Sequence, residues 1–94
     1  MEEDGWKGLM LLVTQIDSPK ELSALFDLFL TIEEKETLAS RFLIVRALFE
    51  GKLTQREIAE KYKVSISQIT RGSNAMKIIE GKLKRFLESK LEKL

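Results

Sequence analysis

The sequence predicts an all-α fold, and two observations support this. Apolar residues recur at the three- and four-residue spacing of a helix face in six segments, and no segment shows the alternation expected of a β-strand. Four of the segments follow a Ser or Thr that has Glu or Gln three residues later, the pattern that caps a helix start: Ser18, Thr31, Thr54 and Ser65. We therefore expect six helices separated by short breaks.

The breaks place the helices along the chain. Pro19 suits the first position of a helix, where its missing N–H has no intrahelical partner to lose. Gly51 suits the left-handed residue that closes a long helix, and Gly81 marks a break before the last one. The expected order is a first helix from about Asp4 to Gln15, a second from Pro19 to a break at Leu30-Thr31, a third from Ile32 to Glu50, two short helices within 54–77, and a last helix after Gly81.

Residues 54–77 predict two short helices joined by a tight turn, a helix-turn-helix. Thr54 with Glu57 opens the first helix and Ser65 with Gln68 opens the second, leaving only Tyr62, Lys63 and Val64 between them. Apolar residues at helical spacing would pack this pair: Ile58, Ala59, Tyr62, Val64, Ile69 and Met76. The outward residues of the second helix are polar with one Arg, which suits the base edges of a DNA major groove: Ser67, Gln68, Thr70, Arg71 and Asn74.

Composition excludes several function classes. The chain has no Cys and no His, so it lacks disulfides, thiolate nucleophiles and the commonest general base and metal ligand. Its carboxylates are scattered and no glycine-rich phosphate loop is present, so we expect neither an enzyme nor a metal site. The acidic start MEEDG lacks the basic region of a signal peptide, and no apolar run is long enough for a bilayer. We expect one cytoplasmic domain over 1–94 with no membrane partner.

The net charge of +1 hides an uneven distribution. Residues 1–30 carry two Lys and six acidic residues, whereas residues 54–77 carry five Lys or Arg and two Glu. This split fits an acidic scaffold end and a positive face for nucleic acid, although such a patch is equally compatible with ordinary solvated surface.

Several motifs resemble the tryptophan repressor family. They are ITRGSN at Ile69–Asn74, LTQRE at Leu53–Glu57, LFLT at Leu28–Thr31, Ser40-Arg41, Ile44-Val45, the Gly51 break and Trp6. The resemblance needs no insertion between Trp6 and Lys77. It implies an intertwined homodimer, with 1–53 and 78–94 in the dimerisation core and one helix-turn-helix head, 54–77, per chain. Two such heads would meet successive major grooves of a near-palindromic operator in double-stranded DNA, a docking for which this family is a known example.

The resemblance also implies L-tryptophan as corepressor, bound between the core and each head. Arg41 and Arg71 would sandwich the indole, since guanidinium planes stack well on aromatic faces. Arg71 would also pair with the ligand carboxylate, helped by the Thr31 hydroxyl. Backbone carbonyls from the other subunit would accept from the ammonium group, at Leu28 and Leu30. The rest of the pocket would be formed by Phe42, Val45, Gly72 and Ala75.

Gly72 and Arg41 give this ligand site some support of their own. Gly72 lies inside a helical pattern at a cost of about 1 kcal/mol relative to Ala, which predicts a close approach to the backbone there. The alternative is that the helix frays at Gly72-Ser73. No acidic residue stands three or four positions from Arg41, so it lacks an obvious local partner.

For DNA, we expect Arg56 to contact a guanine and Lys77 and Ser73 to contact phosphates. The other expected DNA contacts are Gln55, Ile66, Ser67, Gln68, Thr70 and Asn74.

Three departures from the family bear on the ligand and DNA sites. Ala75 stands where tryptophan-binding members can carry Ser, Ala59 stands where the best-known members have Lys, and Ser67-Gln68 replace smaller residues.

The sequence thus predicts a tryptophan-dependent repressor of genes for making or importing tryptophan. Ala75 keeps open a first alternative, a helix-turn-helix regulator of the same superfamily that needs no tryptophan. A second alternative is a helical dimerisation module whose heads bind protein.

Overall fold

The computed structural model describes residues 3–94, which form six α-helices and a final 3-10 turn. These are α1 (Glu3–Val13), α2 (Pro19–Phe29), α3 (Ile32–Glu50), α4 (Gln55–Tyr62), α5 (Ile66–Ile78), α6 (Gly81–Lys90) and the turn Leu91–Lys93. The all-α prediction is confirmed, since no strand occurs in this part of the chain. Met1 and Glu2 of the acidic start lie outside the described residues. None of the helices within 3–94 is both long and apolar enough to cross a membrane.

The helix starts follow the predicted capping signals. The Ser18 hydroxyl accepts a hydrogen bond from the Glu21 N–H at 3.3 Å, with Pro19 as the first residue of α2. Before α3, the Thr31 N–H donates to Glu34 Oε1 at 2.8 Å and the Glu34 N–H donates to Thr31 Oγ1 at 3.1 Å. These bonds satisfy N–H groups that have no partner inside the helix. Local sequence therefore determines where these helices begin.

Three helix ends test the remaining predictions. α3 ends at Glu50 as predicted, and Gly51 has the left-handed φ of 69°. α1 ends at Val13, two residues earlier than predicted, and the Thr14 hydroxyl donates to the Leu11 carbonyl over its last turn. The last break lies at Ile79 and Glu80, both extended, so that Gly81 is already the first residue of α6.

The chain divides into two compact units, Met1–Lys35 and Glu36–Leu94. Over the described residues the first unit contains α1, α2 and the start of α3, and in it Lys35 forms an ion pair with Asp27. Both side chains of this pair are exposed, so it adds little stability. The second unit contains the rest of α3, α4, α5, α6 and the 3-10 turn. The predicted single domain and intertwined homodimer stay predictions.

The core of the second unit joins α3 to the α4–α5 pair. Its buried residues are Ile44 and Ala47 from α3, Ile58 from α4 and Ile69 from α5. Partly buried side chains surround them: Leu48, Leu53, Ala59, Tyr62 and Val64. The predicted apolar contacts of α4 and α5 are thereby confirmed, except that Met76 is only partly buried and lies outside this cluster. Both short helices therefore pack against α3.

Reciprocal capping boxes and a left-handed residue set the α4–α5 turn. Thr54 with Glu57, and Ser65 with Gln68, each form both hydrogen bonds of a box. The bonds from the backbone N–H and the side chain of Thr54 hold the pKa of the Glu57 carboxyl below its ordinary value. Between the helices, Lys63 has φ 55° and ψ 48°, and its N–H donates to the Ala59 carbonyl. The turn therefore depends on a conformation that a residue with a Cβ adopts at a cost.

Replacing Lys63 tests this cost. Lys63→Gly should raise the free energy of unfolding by about 0.5–1 kcal/mol, because glycine adopts φ > 0 without strain but loses more chain entropy. Chemical unfolding measures the change. Lys63→Ala is the matched control and should leave stability nearly unchanged, since it removes the side chain but keeps the Cβ. An equal gain in both variants would assign the effect to the lysine side chain.

Candidate ligand cavity and nucleic-acid surface

A cavity of about 340 Å³ lies between α3 and α5 in the second unit. This volume is within the range of about 300–1,000 Å³ that small-molecule sites occupy. Seven residues line it: Arg41, Ile44 and Val45 from α3, and Gln68, Arg71, Gly72 and Ala75 from α5. Five of the nine predicted ligand residues come together there, namely Arg41, Val45, Arg71, Gly72 and Ala75.

Helical spacing explains this lining. On α3, Ile44 and Val45 stand three and four residues after Arg41, which places all three on one side of the helix. On α5, Arg71 and Gly72 stand three and four residues after Gln68, and Ala75 stands four after Arg71. Each wall of the cavity is thus formed by residues on one side of a single helix.

The cavity is electropositive. Two of its lining residues, Arg41 and Arg71, carry guanidinium groups and none carries a carboxylate. Within residues 3–94 neither arginine forms a salt bridge. Unpaired guanidinium groups bind carboxylates through two parallel hydrogen bonds and stack on aromatic rings. The site therefore favours a ligand that combines an anionic group with a planar ring.

Gly72 allows α5 to approach α3 closely. A Cβ at Gly72 would lie 3.2 Å from Ile44 Cγ2 and 3.6 Å from Leu48 Cδ1, the first of which is too close for comfortable contact. The helix continues through this position to Ile78, so the alternative of fraying at Gly72-Ser73 is wrong. The predicted close approach is confirmed, and the groups that come near are the α3 side chains.

Phe42 does not line this cavity, in contrast to its predicted place in the pocket wall. It follows Arg41 directly, and one residue turns an α-helix by about 100°. Its half-exposed ring instead lies 5.4 Å from the Arg46 guanidinium carbon, a cation–π contact.

The other three predicted ligand residues belong to the first unit. Leu28 and Leu30 lie at the end of α2, where Leu28 is largely exposed and Leu30 caps the helix. Thr31 caps α3, and its hydroxyl accepts from the Glu34 N–H. The hydroxyl keeps its own proton, which is available to an acceptor outside the helix.

The predicted DNA residues all lie on α4 and α5. Gln55 and Arg56 are the exposed first two residues of α4. At about 100° per residue, six α5 positions fall within about 60° of Thr70 around the helix, counting Thr70 itself. They are Ile66, Ser67, Thr70, Ser73, Asn74 and Lys77, and all are exposed except the half-buried Ser73. This outer face carries polar groups and one Lys, which suits contact with phosphates and base edges.

The chain is similar in sequence to known proteins. A family model described as Trp repressor protein matches residues 4–91. A Trp operon repressor homolog of Chlamydia trachomatis serovar D is 52% identical over 90 residues, covering 96% of each chain. The chain belongs to the Trp repressor protein family.

Other relatives carry the same name. A Trp operon repressor homolog from Chlamydia caviae is 55% identical over 87 residues, covering 93% of this chain and 86% of the relative. One from Vibrio vulnificus is 37% identical over 91 residues, covering 97% and 89%. The Trp repressor family is one of regulatory DNA-binding proteins and not of enzymes.

Sequence reasoning on this family's motifs missed two cavity residues, Ile44 and Gln68. Both stand three residues from an arginine of the site, Arg41 and Arg71, so helical spacing alone could have found them. Gln68 was expected to face DNA, but it lies about 160° around α5 from Thr70, on the cavity side. Its side chain is held there by the capping box with Ser65.

A second cavity of about 550 Å³ lies in the same unit, beside α3 and α6. Its lining mixes both signs of charge: Arg46, Phe49, Glu50, Lys52, Leu87, Glu88, Leu91 and Glu92. Three carboxylates there would repel an anionic ligand, so the smaller cavity is the better candidate despite its size. Within residues 3–94 no cluster of three acidic side chains is placed to hold a metal ion.

Gly72→Ala tests the close approach. The added methyl group should lower the free energy of unfolding by about 1 kcal/mol, because overpacking against buried Ile44 costs about 1–3 kcal/mol and exceeds the gain in helix propensity. Gly8→Ala in α1 is the control, since nothing lies within 4 Å of a Cβ there, and it should raise stability slightly. Thermal unfolding of both variants provides the measurement. Stabilisation of both would contradict tight packing at Gly72.

Proposed function

We propose that this protein is a tryptophan-dependent transcriptional repressor that binds, as a homodimer, a near-palindromic operator of tryptophan biosynthesis or uptake genes. The observation that carries the proposal is the cavity that Arg41 and Arg71 both line, where neither forms a salt bridge within residues 3–94. The relatives named Trp operon repressor homolog cover nearly the whole chain and support the same role.

The cavity fits L-tryptophan in charge and size. Bound tryptophan supplies a flat indole ring and a carboxylate. Arg41 and Arg71 offer planes for the ring, and Arg71 offers a bidentate partner for the carboxylate. Ile44, Val45 and the Gly72 backbone add an apolar floor. Each of these groups matches one feature of the proposed ligand.

Ala75 favours a second candidate, a regulator of the same family that binds DNA without tryptophan. Its methyl group lines the cavity where a Ser hydroxyl would add a hydrogen bond. One such bond contributes about 0.5–1.5 kcal/mol, so its absence weakens binding several-fold without abolishing the site. The arginine pair is the larger contribution, and tryptophan dependence remains the better proposal.

The homodimer is supported by exposed apolar side chains. Trp6 is 57% exposed, Leu28 77% and Ile32 77%, and several other large apolar residues are also exposed: Leu11, Phe29, Leu38, Phe86 and Leu94. Exposed apolar surface on this scale marks an interaction surface. A second copy of the chain would cover it and would set two α5 helices at the spacing of successive major grooves.

Repression depends on coupling between the two surfaces of α5. In the proposed mechanism Arg41 and Arg71 close on the ligand, and α5 becomes fixed relative to α3. The outer face of α5 is then held in position to dock on DNA. Because such coupling is reciprocal, operator DNA should tighten tryptophan binding by the factor by which tryptophan tightens DNA binding.

Calorimetry with L-tryptophan tests the ligand directly. We expect one site per chain and a thermal stabilisation that grows with ligand concentration. Arg71→Ala should lower the affinity by at least about tenfold, because it removes both a charged hydrogen bond and a stacking plane. Arg85→Ala on α6, outside the cavity, is the matched control and should bind as the unchanged protein does. No heat and no stabilisation at millimolar tryptophan would leave a ligand-independent regulator.

Selection from a random duplex library tests the operator. With tryptophan present, the selected duplexes should be near-palindromic, and each should bind two chains. Arg56→Ala should lower affinity for the selected duplex by about 1–3 kcal/mol and relax specificity at one position of each half-site. Lys20→Ala in α2 serves as the charge-matched control. Weak binding that is indifferent to sequence would favour a dimerisation module whose heads bind protein.

A further inference from the structure

The Gln68 side chain belongs both to the cavity lining and to the capping box of α5. Its side chain lines the cavity beside Arg71. The same side chain completes the capping box at the start of α5, where Oε1 accepts from the Ser65 N–H at 2.8 Å and from the Ser65 hydroxyl at 3.2 Å. In return, the Gln68 N–H donates to Ser65 Oγ at 3.1 Å. One residue thereby joins the ligand site to the first turn of α5.

The capping box leaves half of the Gln68 amide unused. Both accepted bonds end on Oε1, whereas the side-chain NH₂ has two N–H donors. No hydrogen bond within residues 3–94 uses those donors. Arg71 stands one helical turn further along the same stripe of α5, so an acceptor held by Arg71 comes within reach of the Gln68 amide.

The two capped helix starts differ in the length of their first helical hydrogen bond. Its first helical hydrogen bond, from the Ile69 N–H to the Ser65 carbonyl, measures 3.3 Å. The corresponding bond of α4, from the Ile58 N–H to the Thr54 carbonyl, measures 3.0 Å. The first turn of α5, which has the longer bond, carries Ile66 and Ser67 of the outer face, so its order affects how these two residues are presented.

We propose that Gln68 is a positioning residue that links occupancy of the cavity to the order of the α5 first turn. This inference rests on the proposed binding of tryptophan. The Gln68 amide donates to the ligand carboxylate while Oε1 keeps its bonds to Ser65. A filled cavity thereby restricts the Gln68 side chain to its capping conformation and holds the start of α5 in place for DNA.

The other capping box shows why a neutral amide matters at this position. The matching place in α4 is Glu57, which caps Thr54 with a carboxylate and lines neither cavity. Gln68→Glu should therefore keep the cap, because a carboxylate also accepts from the Ser65 N–H. It should lose the donor, however, and place a negative charge beside the carboxylate of the ligand.

A comparison of two probes separates these roles. We would measure the affinities of L-tryptophan and of L-tryptophanamide, which lacks the carboxylate, for the full chain and for Gln68→Glu. The preference for L-tryptophan over the amide should fall by at least about tenfold in the variant, while its thermal unfolding stays nearly unchanged. Glu57→Gln is the matched control, since it exchanges the same two side chains in the other box, and should keep the preference.

Amide hydrogen exchange tests the link to α5. L-tryptophan should slow exchange in the first turn of α5 of the unchanged protein, and this slowing should be lost in Gln68→Ala even at saturating ligand. An unaltered preference in Gln68→Glu, or equal slowing in Gln68→Ala, would overturn the positioning role while leaving tryptophan binding intact. If L-tryptophan does not bind the unchanged protein at all, the proposed function fails and this inference fails with it.

Discussion

The close crossing of α5 over α3 at Gly72 is the contact on which the rest of the second unit depends. Because Gly72 has no side chain, Ile44 and Leu48 of α3 can approach the α5 backbone. That approach buries Ile69 against Ile44 and Ala47 in the core. It also brings the side of α3 that carries Arg41 opposite the side of α5 that carries Arg71. A bulkier residue at this position would separate the two helices and disturb core and cavity together.

α5 carries three faces on thirteen residues. Ile69 faces the core, Gly72 lies at the border of core and cavity, Gln68, Arg71 and Ala75 line the cavity, and the outer face with Thr70 is turned outward. A rigid helix cannot shift one of these faces without shifting the others. A ligand that changes the position of the cavity face must therefore change the presentation of the outer face, which is the physical basis for coupling the two.

The sequence predicted best what depends on neighbouring residues. Thr31, Thr54 and Ser65 mark helix starts because their side chains bond to N–H groups three residues away, and Gly51 closes α3 for an equally local reason. That Arg41 and Arg71 line one cavity is implied only by the family resemblance, since no local pattern links positions thirty residues apart.

The remaining differences between prediction and structure concern the angular position of residues around a helix, the end of one helix and contacts that need a second chain. The family resemblance assigns Phe42 to the pocket wall and the apolar packing pattern assigns Gln68 to the outward residues of α5, whereas their angles around the helices place Phe42 beside Arg46 and Gln68 on the cavity. The end of α1 lacks a glycine or proline signal and was predicted two residues too late. The expected contacts of Leu28 and Leu30 require a second subunit, so they are not a property of one chain.

The two capping boxes differ in one respect that distinguishes the helices in acid. The α4 box closes with the carboxylate of Glu57, whose pKa is lowered by its bonds to Thr54, so the stability it adds is present above the unfolded pKa and is lost as the pH falls through the folded value. The α5 box closes with the amide of Gln68, which does not titrate. Acidification therefore loosens the start of α4 first, while α5 keeps its cap.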